Sequence, residues 1–222
     1  MPNIMLQLEN VHYRYKSKFQ TVHAVRGITY GFETGMIYAV MGKSGCGKTT
    51  LLSLLGGLML PTEGTVSVEG EATSALDRSR LRREKVSFIY QNYNLFPWLT
   101  VEENVTYPLV IRNQNRTEAL RLAHECLEDV GINPEQYKRL PATLSGGEQQ
   151  RVAIARALAA GSPIILADEP TGSLDSENGK NIIGILRDLA HRESRCVIVV
   201  THDPAIADVS DVSIHMVDGQ FV

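Results

Sequence analysis

Cysteine is scarce in this sequence, and its spacing argues against two common roles. The 222 residues include only Cys46, Cys126 and Cys196, and no two of them form a CxxC pair. An odd and widely spaced set, with no histidine at metal-ligand spacing, argues against a disulfide framework and against a zinc site. A reducing compartment is therefore expected.

Long apolar runs and excess basic charge are also lacking. The longest apolar run, 51–60, contains a serine and two glycines, and it is far shorter than the ~20 residues of a membrane-spanning helix. The first nine residues lack the basic region and apolar stretch of a secretory signal. The net charge is −3, so no overall positive field attracts nucleic acid, and no nucleic-acid partner is predicted.

What remains is the pattern of an α/β protein. Short β-branched apolar runs at 164–167 and 197–200 are typical of strands covered on both faces of a parallel sheet. Alternation at 65–68 and the run 86–90 predict further strands, and the tail 214–222 predicts a hairpin. The apolar spacing in 117–130 predicts a helix that ends at Gly131. We interpret residues 1–222 as a single domain, with an α/β core at 1–91 and 161–222 and a helical insertion at 92–160.

The segment Gly42–Thr49 fits the phosphate-loop pattern G-x-x-x-x-G-K-[ST]. It lies between a predicted strand, 35–42, and a helix-forming run, 48–55, which Gly56 and Gly57 end. Glycines let consecutive N–H groups turn towards phosphate oxygens, and the helix start adds partial positive charge. Lys48 would neutralise the β- and γ-phosphates, and the Thr49 hydroxyl would bind Mg²⁺. A glycine turn with no ligand is the alternative, and it is disfavoured by this context.

A second predicted strand ends in adjacent acids, Asp168 and Glu169. Ligands bind at the carboxyl ends of strands in open α/β sheets. Because side chains alternate along a strand, the two carboxylates should point differently. Asp168 would then serve Mg²⁺, and Glu169 would act as general base towards the attacking water.

The stretch LSGGEQQR, 144–151, starts a predicted helix with an S-x-x-E capping box, Ser145 to Glu148. A capping box does not require Gly146 and Gly147, because glycine is a poor helix former that costs up to ~1 kcal/mol in a helix interior. The backbone N–H groups of these two glycines, with no Cβ beside them, could bind an anion. Since the chain already has a phosphate loop, this second helix start predicts contact with a second copy.

Together, the phosphate loop, Gln91, LSGGEQQR, IILADEP, Ser173–Asp175 and His202 resemble the nucleotide-binding domain of ATP-binding cassette transporters over essentially the whole chain. The resemblance implies a phosphate-loop NTPase core, mainly a parallel sheet with flanking helices, together with an N-terminal antiparallel β region and the helical insertion. It implies ATP hydrolysis with ATP and Mg²⁺ bound. It also implies a peripheral position on the cytoplasmic face of a bacterial inner membrane.

The resemblance assigns a role to each motif. Catalysis would rest on Glu169, His202, Lys48 and Gln91. Mg²⁺ would be held by Thr49, Gln91 and Asp168. The nucleotide would contact Tyr15, Gly42, Lys43, Ser44, Gly45, Cys46, Gly47, Lys48, Thr49 and Thr50. Two copies would pack head to tail, so that Ser145, Gly146, Gly147 and Asp175 reach the nucleotide of the partner.

Two assignments remain open at this point. Tyr15 matches the aromatic residue that stacks on adenine, but Tyr13 is close enough in sequence to be the alternative. Tyr93, Leu95, Phe96, Trp98 and Leu99 concentrate aromatic and apolar bulk after Gln91. These side chains could dock a cytoplasmic helix of an integral membrane subunit, or they could form the core of the helical insertion.

Within the family, LFPWLTVEENVTYPL and LPATLSGGEQQRVAIARALA look most like the lipoprotein-release, macrolide-export and antimicrobial-peptide-export ATPases of bacteria. The membrane subunit would then export or release an amphipathic cargo. One alternative is the cell-division ATPase that activates wall hydrolases. The other, ranked last, is a cassette ATPase of DNA repair or translation that works without a membrane subunit.

Overall fold

The computed structural model describes residues 3–222, so Met1 and Pro2 of the N-terminal stretch lie outside it. The strands are β1 Ile4–Lys16, β2 Thr21–Glu33, β3 Ile37–Met41, β4 Glu63–Val68, β5 Glu71–Ala72, β6 Val86–Ile89, β7 Ile164–Asp168, β8 Cys196–Thr201, β9 Val212–Val217 and β10 Gln220–Phe221. The helices are α1 Lys48–Leu55, α2 Arg78–Glu84, α3 Val101–Val110, α4 Arg116–Asp129, α5 Gly146–Ala159, α6 Ser176–Glu193 and α7 Pro204–Val209.

The central sheet has six strands in the order β10-β9-β3-β8-β7-β6. The neighbouring pairs from β9 to β6 are parallel, and only the β9–β10 pair is antiparallel. The parallel sheet predicted from the β-branched apolar runs is therefore confirmed. The C-terminal hairpin is confirmed as well, and its turn has Asp218 at φ 47° and Gly219 at φ 84°, the left-handed values of a tight hairpin turn.

The inner strands β3, β8 and β7 of this sheet are buried on both faces, as their composition predicts. Ile37 and Ala39 belong to one buried cluster, with apolar side chains of α3 to α6. Tyr38 and Val40 belong to the other, with α1 and the N-terminal strands. Successive side chains of one strand thus stabilise opposite layers.

A second sheet, β2-β1-β4-β5, has four antiparallel strands, which confirms the antiparallel N-terminal region. Leu6 and Leu8 are fully buried while Gln7 between them is not, the alternation expected of a sheet covered on one face. This sheet carries β1 and β2 past the start of α1, where both strands contribute to the candidate site.

The helical elements α3, α4 and α5 lie between residues 101 and 159. The helix predicted at 117–130 is present as α4, and Gly131 follows it at φ 73°. The apolar side chains of α3, α4 and α5 belong to the same buried cluster as side chains of the central sheet. Residue 92 is therefore not marked as a boundary by a separate core, and the division into core and insertion stays a prediction. None of the helices within residues 3–222 is long and apolar enough to cross a membrane.

Candidate active site

The phosphate loop lies between β3 and α1, as predicted, and its glycines serve different purposes. Gly47 has φ 110°, and a Cβ built on it would lie 2.1 Å from the Ala24 carbonyl oxygen of β2. Gly45 has φ 81° and an open surrounding. Gly47 is therefore required by both backbone conformation and packing, whereas Gly45 is required by conformation alone.

The start of α1 is open to an anion. Gly47 is its N-cap and provides no side-chain cap, and within residues 3–222 the N–H groups of Lys48, Thr49 and Thr50 donate to no protein acceptor. The buried Lys48 side chain folds back over the loop, where Nζ donates to the carbonyls of Gly42 (2.6 Å) and Lys43 (3.1 Å). The loop thus places an ammonium group and helix N–H groups around one space.

The two protein oxygens predicted to serve Mg²⁺ lie side by side. The Thr49 hydroxyl donates to Oδ2 of Asp168 across 2.9 Å. Burial raises the pKa of Asp168, the Glu169 charge adds to this rise, and the Thr49 hydrogen bond and Lys48 oppose it. A hydroxyl and a carboxylate are the hard oxygen donors that Mg²⁺ prefers, so the donor set fits a magnesium–nucleotide complex.

Asp168 and Glu169 bond to different groups, but the strand alternation from which this was expected does not reach Glu169. The strand β7 ends at Asp168, and Glu169 turns into the left-handed region at φ 49°. Its carboxylate accepts hydrogen bonds from the Thr201 hydroxyl (3.0 Å) and from Nδ1 of His202 (2.8 Å). The end of β8 therefore orients the proposed base.

One cavity of about 680 Å³ collects these groups. It is lined by Tyr15, Val22, His23, Ala24, Gly42, Lys43, Ser44, Gly45, Gly47, Lys48, Thr49, Thr50, Gln91, Asp168, Glu169 and His202. Cys46 alone of the predicted phosphate-loop residues is missing from the lining, because its side chain packs against the buried cluster beneath the loop. The β2 residues Val22, His23 and Ala24 were not anticipated. These residues reach the cavity because Tyr15 of β1 pairs with Val22 of β2. That pairing is visible only in the folded chain.

The two candidate aromatic residues differ in position. Tyr15 lines the cavity, is 46% exposed, and places its hydroxyl 3.2 Å from that of Thr50. Tyr13 does not line the cavity; it is half-buried and packs edge-on against Tyr15 at 4.9 Å between ring centroids. The geometry favours Tyr15 as the ring available to a base, with Tyr13 supporting it.

The start of α5 has the predicted capping box. Ser145 Oγ accepts from the Glu148 N–H (3.2 Å), and the Glu148 carboxylate accepts from the Ser145 N–H (2.7 Å). This backbone hydrogen bond contributes most to the lowered pKa of Glu148. Within the described chain the N–H groups of Gly146 and Gly147 donate to no protein acceptor, so the box leaves these two glycine N–H groups open.

The predicted trans contacts lie together, outside the cavity. None of Ser145, Gly146, Gly147 and Asp175 is among the residues that line it. A Cβ on Gly147 would lie 3.3 Å from the Ser173 carbonyl oxygen, which brings the segment before α6 against the start of α5. Asp175 is the N-cap of α6, and hydrogen bonds from the Asn178 backbone and side chain lower its pKa. The chain therefore presents two separate surfaces, a cavity and a helix start.

Comparison with known proteins gives consistent matches. The profile of the family described as ABC transporter matches residues 25–172. The ABC transporter ATP-binding protein YclH of Bacillus subtilis is 43% identical over 98% of this chain and 95% of its own length. The macrolide export ATP-binding/permease protein MacB of Shigella flexneri is 42% identical over 98% of this chain, which spans only 34% of MacB.

A solved structure has the same fold. The cassette MJ0796 of Methanocaldococcus jannaschii, described as a dimeric structure of a bacterial ABC transporter cassette, superposes with a TM-score of 0.93. It is 40% identical, and the match covers 98% of this chain and 96% of that one. Another MJ0796 structure is described as a dimeric post-hydrolysis state bound to ADP and Pi.

Proposed function

This chain belongs to the ABC transporter family and is an ATP-hydrolysing subunit, and on that premise we propose how its two surfaces divide the work. The cavity binds and positions the nucleotide, and the start of α5 completes the equivalent cavity of a second copy. The observation that carries this proposal is the separation of the two surfaces: the chain has a built phosphate site and, outside it, a second helix start with two open N–H groups.

The residues that line the cavity divide the nucleotide between them. Tyr15 stacks on the base, and the loop from Gly42 to Thr50 surrounds the phosphates with N–H groups and the Lys48 ammonium. Thr49, Asp168 and Gln91 hold the magnesium ion, which supplies charge neutralisation at the β- and γ-phosphates. Because Asp168 is buried, its ionised carboxylate is energetically unfavourable. A cation bound beside it would neutralise this charge, and the binding of the cation would be stabilised.

Glu169 accepts the proton of the attacking water. Its carboxylate is held by Thr201 and by His202 Nδ1; because a carboxylate only accepts, Nδ1 carries the hydrogen and donates. His202 is 76% exposed at its side chain while Glu169 is 12% exposed, so the histidine is the more accessible of the two side chains. The histidine therefore orients the base and faces the terminal phosphate.

Gly146 lies outside the cavity of its own chain, so a second copy supplies this contact. Two copies packed head to tail place Ser145, Gly146 and Gly147 of each over the nucleotide of the other, next to Asp175. MJ0796 is described as dimeric in two structures, one of them bound to ADP and Pi, which supports this arrangement. ATP then forms part of the interface, and hydrolysis weakens the dimer.

A groove beside α3 is the proposed contact with the membrane subunit. It has a volume of about 260 Å³, and Phe96 and Tyr107 line it with Arg82, Arg112 and Arg156. The three guanidinium groups donate only to backbone carbonyls and hydroxyls within the described chain, and burial lowers the pKa of Arg112 and Arg156. An apolar segment that carries a carboxylate would complement the charge of these guanidinium groups.

The aromatic side chains of Phe96 and Trp98, after Gln91, are exposed, which favours a contact with the membrane subunit over a role in the core of the helical insertion. Trp98 is 86% exposed and Phe96 is 39% exposed, whereas Leu95 packs against the buried cluster. We therefore assign Phe96 and Trp98 to the partner surface, and Leu95 to the core.

The relatives support a proposed cargo class and location. MacB is described as a macrolide export protein with a permease part, and the proposed role is export or release of a lipoprotein, peptide, drug or similar amphipathic cargo from the cytoplasmic face of the inner membrane. The relatives described are transporter ATP-binding proteins, which favours transport over control of wall hydrolases.

Affinity purification tests this role. The Glu169→Gln chain, purified with Mg-ATP from detergent-solubilised native membranes, should recover a subunit with few membrane spans and a large external domain. A chain that also carries Phe96→Ala and Trp98→Ala is the matched control, and it should lose that subunit while still binding ATP. Recovery of a many-helix permease would contradict the proposed cargo class, and recovery of no membrane protein would contradict the transporter role.

A further inference from the structure

The loop that follows β6 has two consecutive residues in the left-handed region. Tyr93 has φ 59° and Asn94 has φ 49°, values that are uncommon for residues other than glycine and that persist only where the surroundings hold them. Arg156 of α5 supplies that hold, because its two terminal nitrogens donate to the carbonyls of Tyr93 (2.8 Å) and Asn94 (2.6 Å). The loop after Gln91 is therefore fixed to α5.

The Tyr93 side chain reaches both surfaces predicted to contact the partner copy. Its hydroxyl donates to Ser173 Oγ across 2.9 Å, and Ser173 lies two residues before Asp175. The same hydroxyl lies 3.1 Å from the position of a Cβ on Gly146. One phenol group thus stands where the loop after Gln91, the start of α5 and the segment before α6 meet.

The opposite end of this loop belongs to the groove. Asn94, Phe96 and Arg156 all line it, and the Arg156 guanidinium lies 6.0 Å from the centre of the Phe96 ring. The loop therefore connects the groove to the start of α5 through fixed contacts.

We propose that Tyr93 is a positioning residue that joins Ser173–Asp175 to the start of α5, so that the two segments meet the partner's nucleotide as one surface. The inference rests on the proposed ATP-bound dimer. It adds a specific hydrogen bond, from Tyr93 to Ser173, as the contact that prepares this surface within one protomer. Tyr93 itself lies outside the cavity, so it acts through the residues it holds.

Removal of the hydroxyl alone tests the proposal. In the Glu169→Gln chain, Tyr93→Phe should weaken ATP-dependent dimerisation by up to roughly tenfold, because both protomers lose the bond that holds Ser173–Asp175 against the start of α5, and these segments must then be ordered as the dimer forms. ATP affinity of the monomer, measured by equilibrium binding, should not change because the cavity is untouched. Tyr30→Phe is the matched control: its ring packs among Phe32 and Phe221, and it should dimerise like the parent.

A double-mutant cycle with Ser173→Ala separates positioning from general stability. Tyr93→Phe and Ser173→Ala should weaken the dimer to a similar extent, and the combination should add little to either change. Three results would overturn the inference without contradicting the proposed dimer. Tyr93→Phe could leave dimerisation unchanged, the effects of the two substitutions could be additive, or the ATP affinity of the monomer could fall as much as dimerisation does. A Glu169→Gln parent that stays monomeric with Mg-ATP would overturn the proposed function as well.

Discussion

Two helix starts in this chain, those of α1 and α5, both contain glycine and differ in how many of their backbone N–H groups are left without an acceptor. The start of α1 has no side-chain cap and no acidic residue in its first turn. The start of α5 is capped by Ser145 and has Glu148 in its first turn. The first is open to an anion over a whole turn, and the second is open only at Gly146 and Gly147.

This difference explains why one chain needs both. An uncapped helix start beside Lys48 can hold a highly charged phosphate group by itself. A capped start with its own carboxylate binds anions more weakly and folds securely without one. The α5 start is therefore suited to recognise a phosphate that another copy has already neutralised with Lys48 and magnesium, which makes its contact dependent on bound nucleotide.

Alanine at one glycine of each region should produce the largest contrast. Gly47→Ala should abolish ATP binding and destabilise the fold by several kcal/mol, because of its φ of 110° and the Cβ distance of 2.1 Å to Ala24. Gly146→Ala should fold and bind ATP normally, since it meets only the Tyr93 hydroxyl at 3.1 Å. Its defect should be confined to ATP-dependent dimerisation. Thermal unfolding and equilibrium binding measure both, and equal loss of ATP affinity in the two variants would remove the distinction.

Asp168→Asn should reduce Mg²⁺-dependent turnover by about a hundredfold or more, as expected when a group that acts on the metal is lost. The same substitution should not lower the free energy of unfolding of the nucleotide-free protein. Burial raises the pKa of Asp168, so the folded chain binds this proton more tightly than the unfolded chain, and the free energy of unfolding falls as pH rises through the window between the two values. Without nucleotide, the asparagine variant should be at least as stable as the parent at neutral pH, and its advantage should shrink towards acid pH.

Thermal unfolding across pH, with Mg-ATP absent, measures this advantage. Thr49→Val is a useful companion, because it removes the hydrogen bond that opposes the rise in the Asp168 pKa. An asparagine variant less stable than the parent at neutral pH would contradict the assigned cost of burying this carboxylate.

Tyr15→Ala should weaken ATP binding by about tenfold, a loss typical of removing one aromatic ring from a stacked base. Tyr13→Ala should have a smaller effect, because Tyr13 supports the Tyr15 ring without lining the cavity. Neither change should alter dimerisation once ATP is saturating. A larger loss for Tyr13→Ala in equilibrium binding would reverse the assignment.

Ser145→Ala should have the smallest effect on the isolated chain. It removes the cap of α5, which is worth about 1 kcal/mol, and it leaves ATP affinity unchanged because Ser145 is outside the cavity. Denaturant unfolding measures the loss, with Ser145→Asn as the uncharged control that restores a cap. If the asparagine variant recovers stability but not dimerisation, the serine acts on the partner's phosphate as well as on the helix.

Much of the fold could be predicted because local signals agreed with it. The helix expected at 48–55 is present with those bounds, since a phosphate-loop glycine precedes it and Gly56 ends it. The buried strands were identified by β-branched runs, which are typical of a sheet covered on both faces. The capping box at Ser145 was readable for the same reason: its contacts span three residues.

The unpredicted features depend on contacts distant in sequence. Cys46 belongs to the phosphate-loop pattern, yet its side chain turns inward to the buried cluster, and no local rule gives that direction. The contribution of Val22 and Ala24 to the cavity depends on how β2 lies beside the loop. The bond from Tyr93 to Ser173 joins residues 80 positions apart, so it could be found only in the folded chain.

The central claim is that the cavity of one copy and the α5 start of another form one site, and mixing two defective variants tests it most directly. Glu169→Gln removes the base from the cavity, and Gly146→Asp places a carboxylate at the open N–H groups of α5, where it suits the helix and repels phosphate. Each variant alone should hydrolyse ATP at background rate. In a mixed dimer one site carries both defects and the other carries none, so the mixture should recover Mg²⁺-dependent hydrolysis. A mixture that stays at the sum of its components would contradict a site shared between two copies.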